Sequence, residues 1–421
     1  MNDAAQEISR PVRLLPVQKT RVTFLILLAV IGCNLFFVQG PPAPAQPALA
    51  DPSPAAACRG CHGEIYNSFV HTAHYLDSRP ADTSSVRGSF QEGHNSFQYN
   101  PFMRVTMTRE GDHLLQTATI NGEVVRTADF DITIGSGRKG QSYLYWQDSS
   151  LYQLPVSYYR ASDQWCNSPG FPKYFFFGRA ITPNCLECHT TFARAGLTPS
   201  GKFSFDRGSL QYGITCERCH TGGQAHAAYQ AAHPQETTAR FVTNAAKLNR
   251  QQRMDGCALC HSGFRTAIQP PFSFQVGDTL AHFSQGKAIS RQADTLDVHG
   301  NQYGLLAASK CFLGSAEMDC STCHNVHRDE FNRADLFSAK CQSCHNGKDN
   351  PVCSLPDKER GSVHLGDNCI DCHMPVRASK KIMLNVGSGD KLLPDYIRTH
   401  FISIYPEATA NFLKQGAGKR Q

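Results

Sequence analysis

The sequence predicts a fold with little regular secondary structure, made mainly of short helices and loops, with one small antiparallel β insert. Three observations predict it. The pattern C-x-x-C-H occurs seven times in 421 residues, and six copies fall within residues 181–421, at roughly 40 residues each. Proline and glycine interrupt that part of the chain often. Residues 85–180 lack the pattern and contain alternating β-branched and apolar residues, which is typical of strands.

The repeated pattern indicates a cofactor. A shuffled chain with the same 18 cysteines and 18 histidines would contain roughly 0.03 copies. C-x-x-C-H is the c-type haem attachment signature, in which two thiols bond to the porphyrin and the histidine takes one axial position on iron. Paired C-x-x-C knuckles also make zinc sites. Zinc does not require the histidine, however, and seven is an odd number for sites built from two knuckles.

The sequence therefore predicts seven covalently bound haem c groups, at sites numbered 1 to 7 in chain order. The cysteines that would carry them are Cys58, Cys61, Cys185, Cys188, Cys216, Cys219, Cys257, Cys260, Cys320, Cys323, Cys341, Cys344, Cys369 and Cys372. The proximal iron ligands would be His62, His189, His220, His261, His324, His345 and His373. With so few residues for each haem, the chain cannot build an ordinary apolar core. Stacked haems would therefore form the core of a multihaem cytochrome c fold.

The chain divides into four segments around these motifs. Residues 1–50 are a signal or membrane-anchor segment with a Pro/Ala linker, residues 51–84 carry haem 1, residues 85–180 are the β-rich insert, and residues 181–421 form a six-haem domain. In the insert we expect an Asn121-Gly122 hairpin turn and strands over residues 105–108, 114–120, 124–134, 141–146 and 151–158. Elsewhere we expect only short helices, just after each motif and over residues 224–232.

Haem attachment takes place outside the cytoplasm, and the start of the chain agrees with export. An apolar run over residues 22–38 follows Lys19 and Arg21, as in a Sec-type leader or anchor. Residues 30–33 resemble a lipobox, which would make Cys33 a lipidated N terminus, whereas residues 43–45 and 48–50 offer cleavage sites. The run is also just long enough for an uncleaved anchor. We expect the protein on the periplasmic side of the membrane, anchored or exported, with an extracellular location as an alternative.

The net charge of the chain indicates which kinds of partner it can bind. The formal net charge is +6, and residues 51–421 carry +4 of it. Seven ferric haems, each with two propionates and one positive charge, would bring this part to about −3. This gives no basis for nucleic-acid binding and favours a basic partner. The expected partners are redox proteins, among them a membrane quinol oxidoreductase or other cytochromes.

The other eleven histidines can supply second, distal axial ligands. His327 follows His324 by three residues, too close to reach the opposite face of the same haem, so we expect it to ligate a neighbouring haem. His226 and His364 lie near motifs in the same way.

The other cysteines of the exported part are Cys166, Cys311 and Cys353, and in an oxidising compartment we expect a disulfide between two of them. Cys311 with Cys353 is the preferred pair, because both lie among sites 5 to 7.

A set of short motifs, in a fixed order, carries a family resemblance. They are CERCHTGGQAH, VHGNQ, SKCF, CSTCHNVH, CIDCHMP and RTHFISIY, together with IGSGRKGQSYLYW and WCNSPGFP in the insert. The chain resembles the bacterial multihaem cytochromes related to the tetrahaem cytochrome of hydroxylamine oxidation, and specifically a seven-haem branch, over nearly all of residues 56–405. The resemblance implies the distal ligands His74, His226, His299, His327, His364 and His400. It supplies no clear seventh, for which His282, His233, His94 and His71 compete in that order, while His113 is expected to be structural.

The seventh distal ligand decides the predicted function. With histidine on both sides of every iron, the protein is an electron carrier with no catalytic residue. With one iron left open, it is an enzyme of nitrite, hydroxylamine or sulfur-oxyanion redox chemistry. A haem subunit of a larger respiratory complex, or of a filament, is a further alternative.

Overall fold

The computed structural model describes residues 55–286, 296–348, 350, 352–353, 355, 368–386 and 392–418. Three features of the sequence analysis lie outside these residues. They are the leader, for which three interpretations were given, Cys33 and His364. No helix within the described ranges is long and apolar enough to cross a membrane.

Two antiparallel sheets account for most of the strand structure in the insert. The first has the order β2-β3-β4-β5, with strands Ser96–Asn100, Met103–Glu110, His113–Ile120 and Glu123–Asp129. The second has the order β1-β6-β7-β9-β10, and β8 pairs with β7. Its strands are β1 Ser78–Pro80, β6 Ile132–Ile134, β7 Gly140–Gln147, β8 Ser150–Gln153, β9 Val156–Tyr159 and β10 Gln164–Asn167.

The two sheets share one apolar core. Alternation along β3 and β7 buries Val105, Met107, Tyr143 and Tyr145 in the same cluster, where Trp165 packs as well. Aromatic rings meet edge to face or tilted in this cluster, which adds to the stabilisation from burial. The insert therefore has an ordinary side-chain core of its own.

All the strands predicted in the insert are present, but two of them are divided. The predicted segment 151–158 breaks at Pro155, which has no N–H for the ladder, and becomes β8 and β9. The segment 124–134 becomes β5 and β6. The hairpin turn between β4 and β5 is as expected, since Asn121 and Gly122 both have positive φ, 53° and 85°. The sequence analysis missed β1, β2 and β10.

Small β ribbons also occur among the haem motifs, where only helices were expected. The prediction was wrong for four antiparallel pairs in the described part of residues 181–421. Three of the pairs consist of strands of two or three residues, which show too little alternation to be recognised in a sequence. The pairs are β11 Thr190–Phe192 with β14 Gln211–Tyr212, β12 Ala195–Leu197 with β13 Phe203–Phe205, β15 Arg265–Ala267 with β16 Ser284–Gly286, and β17 Val376–Asn385 with β18 Leu392–Arg398. The fourth pair, β17 with β18, is longer, with ten and seven residues.

The helices are short, as predicted, but most do not start where they were expected. Only α1 and α4 directly follow a motif, and α4 matches the prediction at residues 224–232. In most other motifs the cysteines themselves lie in the helix. The eleven α-helices of the described residues are α1 Gly63–Phe69, α2 Pro183–His189, α3 Cys216–Cys219, α4 Gly223–Ala232, α5 Arg250–His261, α6 Gln302–Ala307, α7 Lys310–Leu313, α8 Cys320–Cys323, α9 Ala334–Gln342, α10 Ile370–His373 and α11 Pro406–Gly418.

Side-chain cores are small among the later motifs. Ala258, Leu259, Phe274 and Leu280 form a buried cluster beside α5. A larger cluster, which includes Ile132 and Leu186, joins α2 to the second sheet. The helix that carries site 2 is therefore fixed to the insert by apolar packing.

The expected disulfide between Cys311 and Cys353 is not formed, so that prediction was wrong. Both are free thiols. Cys311 lies on α7, where burial and the neighbouring Cys344 thiol raise its pKa. Cys311 is therefore close to the site 6 motif, while Cys353 is exposed. Cys166 is 1% exposed, and burial raises the pKa of its thiol to about 12.

We expect iodoacetamide at pH 8 to alkylate Cys353 in the native protein and to leave Cys166 unmodified. The thiolate is the reactive form, and Cys166 combines a raised pKa with almost complete burial. Peptide mass spectrometry of the alkylated protein measures both sites, and Cys353→Ser provides the control. Labelling of Cys353 only after a reductant is added would show a disulfide and contradict the structure.

Candidate haem sites

Each C-x-x-C-H motif adopts a helical turn. In five motifs the histidine N–H donates to the carbonyl of the first cysteine at 2.7–3.1 Å, as at His62, His220, His324, His345 and His373. At sites 2 and 4 the motif lies within α2 and α5. Residues spaced i, i+3 and i+4 share one face of a helix. Both thiols and the histidine of a motif are therefore on one side of the turn, where a single haem can bond to all three.

Four proximal histidines have a second histidine ring opposite them. Each partner is one of the predicted distal ligands, and each comes from a different motif or from a loop distant in sequence. The pairs, with the distance between ring centroids and the angle between ring planes, are His62 with His226 (6.4 Å, 24°), His220 with His327 (6.0 Å, 14°), His261 with His74 (6.0 Å, 80°) and His324 with His400 (6.2 Å, 26°).

The distances within these pairs fit one metal ion between two imidazoles. An imidazole nitrogen binds a transition metal at about 2 Å and lies about 1.1 Å from its ring centroid, so opposed rings have centroids about 6.3 Å apart. The four observed distances are 6.0–6.4 Å. Within the described ranges, no three His, Cys, Asp or Glu side chains are grouped as a bare metal ion would need. The donors thus fit haem better than zinc.

His327 faces site 3. Its ring lies opposite that of His220, with centroids 6.0 Å apart and ring planes 14° apart, which fits a histidine too close to His324 to share the same haem. Ser68 in α1 donates a hydrogen bond to the His327 carbonyl at 2.8 Å, and Phe69 packs edge-on against the ring. The segment around site 1 therefore helps to hold the second histidine of site 3.

Glycine allows the chain to place His226. After the site 3 motif, Gly222 adopts φ +89°, and a Cβ there would lie 2.1 Å from the carbonyl oxygen of Phe241. Only glycine permits this turn into α4, which carries His226. The Thr-Gly-Gly that follows site 3 in the sequence is thus the local signal for the site 1 pair.

The His74 loop is fixed in a similar way. The backbone N–H of Ile214 donates to the His74 carbonyl at 2.9 Å. Gly213, with φ +68°, approaches so closely that a Cβ would lie 2.2 Å from the Tyr75 carbonyl oxygen. The strand that leads into site 3 therefore fixes the loop that reaches site 4.

Backbone carbonyls orient several of the rings. The Nδ1 atoms of His220, His226 and His373 lie 2.9–3.0 Å from the carbonyl oxygens of Thr243, Arg240 and Ser403. A carbonyl can only accept, so Nδ1 carries the proton and Nε2 keeps the lone pair that binds a metal.

Carboxylates take the same position beside other histidines. His189 Nδ1 lies 2.8 Å from Asp77, while His324 and His299 lie 3.3 Å from Glu330 and Asp395. A carboxylate at Nδ1 leaves Nε2 free in the same way and also adds a negative charge beside the ring.

Burial favours the neutral form of four of the paired rings. It lowers the pKa of His74, His261 and His327, and it lowers the pKa of His400 to about 4. Neutral imidazole is the form that binds a metal. His189 differs, because the hydrogen bond and charge of Asp77 together outweigh the effect of burial and raise its pKa.

Thiols of different motifs lie beside one another. Burial and the Cys58 thiol raise the pKa of Cys216 to about 12, and a hydrogen bond with Cys341 lowers the pKa of Cys369 to about 6. Once haem is attached the sulfurs would be thioethers, which do not titrate. The observation that still holds for the haem-bound protein is that these motifs are adjacent. Four pairs of cysteines are hydrogen-bonded, Cys58 and Cys216 (sites 1 and 3), Cys188 and Cys260 (2 and 4), Cys257 and Cys320 (4 and 5), and Cys341 and Cys369 (6 and 7), while Cys219 and Cys257 (3 and 4) and Cys323 and Cys344 (5 and 6) interact electrostatically without a hydrogen bond.

The structure does not bring every predicted ligand to a proximal histidine. His299 lies with Asp395, and its side chain is 44% exposed. His282 ends the short 3-10 helix Leu280–His282 and is exposed, with no described histidine ring against it. The lower-ranked competitors His233, His94 and His71 are exposed too. His113 pairs with Asp129 on the surface of the insert.

Sequence reasoning missed Asp77 and Ser78. Asp77 binds the side chain of His189, and Ser78 donates a hydrogen bond to the His189 carbonyl at 2.6 Å. The only signal in the sequence is their position just after the predicted ligand His74. Nothing in that position indicates that they contact a motif more than 110 residues later.

Comparisons with known proteins agree with a haem protein. A family model described as cytochrome c554 and c-prime matches residues 177–221, which contain the motifs of sites 2 and 3. No curated protein matches the chain. Among solved structures, the chain is similar to one titled "Crystal Structure of Outer Cell Wall Cytochrome OcwA", at 14% identity and a TM-score of 0.49, over 86% of this chain and 82% of that one. The family match and the seven motifs support a multihaem c-type cytochrome that binds haem covalently and transfers electrons.

Proposed function

We propose that the protein relays single electrons through seven covalently bound haem c groups, most of them with histidine on both axial positions. The four histidine pairs carry this proposal, because their 6.0–6.4 Å ring separations fit closed, six-coordinate iron. Bound haem c supplies reversible one-electron chemistry at its iron. At each of the four paired sites, two imidazoles would hold the group on both sides and exclude other ligands.

The arrangement of the motifs supports electron transfer from one site to the next, and not electron storage at isolated sites. Adjacent thiols connect all seven motifs into one series, 1-3-4-5-6-7, with site 2 as a branch at site 4. The chain therefore keeps each site beside another. The series has three ends, at sites 1, 2 and 7. These ends are where redox partners would have access.

Location and partners belong to the same proposal. The apolar run over residues 22–38 supports export to the periplasmic side of the membrane, with an anchor, a lipid on Cys33 or cleavage as the alternatives. A charge near −3 with ferric haems bound supports a basic docking face on the partner. A membrane quinol oxidoreductase or another cytochrome would fit this role.

A second candidate function rests on site 2. Among the described residues, no histidine ring lies opposite His189, and its Nδ1 donates to Asp77. A haem held only by His189 would have an open position for nitrite, hydroxylamine, nitric oxide or a sulfur oxyanion. Nitric oxide added to the oxidised native protein distinguishes the two functions. A high-spin signal that changes on addition favours this second function, and an unperturbed low-spin spectrum excludes it.

For the relay function, we expect His327→Ala to convert one haem per chain from low spin to high spin. The substitution removes the ring opposite His220 and leaves that iron five-coordinate. Spin-quantified EPR of the oxidised variant measures the change. The control is His113→Ala, because His113 pairs with Asp129 at 2.9 Å on the surface of the insert, away from the motif histidines. Identical EPR spectra for His327→Ala and the native protein would refute the assignment of His327.

A further inference from the structure

The charge beside an axial histidine differs between sites. His220 and His373 donate to neutral backbone carbonyls, whereas His189 lies 2.8 Å from a carboxylate oxygen of Asp77. His324 has a carboxylate too, Glu330, but at the longer distance of 3.3 Å. Site 2 therefore combines a short contact with a full negative charge.

The contact is built into the fold. Asp77 follows the loop of His74, and its carbonyl accepts a hydrogen bond from the N–H of Gly135, which directly follows β6 of the second sheet. The next residue, Ser78, donates to the His189 carbonyl at 2.6 Å and accepts from the Gly213 N–H at 2.9 Å. The backbone and the side chain of His189 are thus both held by one short segment. The Asp77 side chain is 23% exposed, so water screens this interaction only in part.

We propose that Asp77 is a positioning residue that sets a low reduction potential at site 2 through His189. The inference rests on the proposed function, since it requires a haem at that site. A carboxylate that accepts the Nδ1 proton makes Nε2 a stronger electron donor than a carbonyl does. A stronger donor stabilises ferric iron relative to ferrous iron, so the site 2 haem is harder to reduce than it would be without Asp77.

The test is Asp77→Asn, which keeps an oxygen that can accept from His189 Nδ1 but removes the charge. We expect one haem to become easier to reduce by about tenfold in its equilibrium constant, or about 59 mV for one electron. Spectroelectrochemical titration of the full-length holoprotein resolves the shift. Asp77→Glu restores the carboxylate and should reverse most of it. The matched control is Asp206→Asn, which removes one charge from an exposed ion pair with Arg194 and should move no potential.

The outcomes separate this inference from the function on which it rests. Seven unshifted potentials in Asp77→Asn, with haem content unchanged, would overturn the inference and leave the relay function intact. Fewer than seven haems in the native protein, or no reversible one-electron titration, would overturn the function itself. If Asp77→Asn fails to incorporate haem, Glu330→Gln gives the second test, since its 3.3 Å contact predicts a smaller upward shift of a different haem. No shift in that variant would overturn the inference.

Discussion

The fold depends on histidines that meet across the chain. A haem bonded to one motif becomes a cross-link between two segments when its second ligand comes from elsewhere, and the four pairs join segments far apart in sequence. His74 and His261 are 187 residues apart, and His62 and His226 are 164 apart. With the proposed haems bound, such links would do the work of an apolar core, which is small here beyond the insert. They also require the chain to place neutral imidazoles at fixed separations before or as haem is bound.

Hydrogen bonds at Nδ1 connect this framework to function. A carbonyl or carboxylate that accepts the Nδ1 proton fixes the ring orientation and directs the lone pair of Nε2 toward the metal. The choice between a neutral and a charged acceptor then gives otherwise similar sites different affinities for electrons. The loop over residues 74–78 shows both roles, since His74 faces site 4 and Asp77 binds the proximal histidine of site 2.

The sequence identifies the seven motifs and four of the histidines that lie opposite them, but it does not identify which histidine faces which motif. Spacing within C-x-x-C-H is local chemistry, so the helical turns follow from it directly. The position of His327 excludes its own haem but does not identify site 3, because that requires α1 and the site 3 motif to meet in three dimensions. The Asp77 contact depends on the same long-range packing. The disulfide between Cys311 and Cys353 was a wrong prediction because matching free cysteines by chain position ignores what surrounds each thiol.

Near-infrared magnetic circular dichroism of the oxidised holoprotein, normalised to its haem content, measures how many haems have two histidine ligands. The charge-transfer band of low-spin ferric haem identifies the axial ligand pair, and its intensity gives the number of such haems. We expect a bis-histidine band from at least four of seven haems per chain, one for each histidine pair in the structure. A bis-histidine count below four would contradict this expectation.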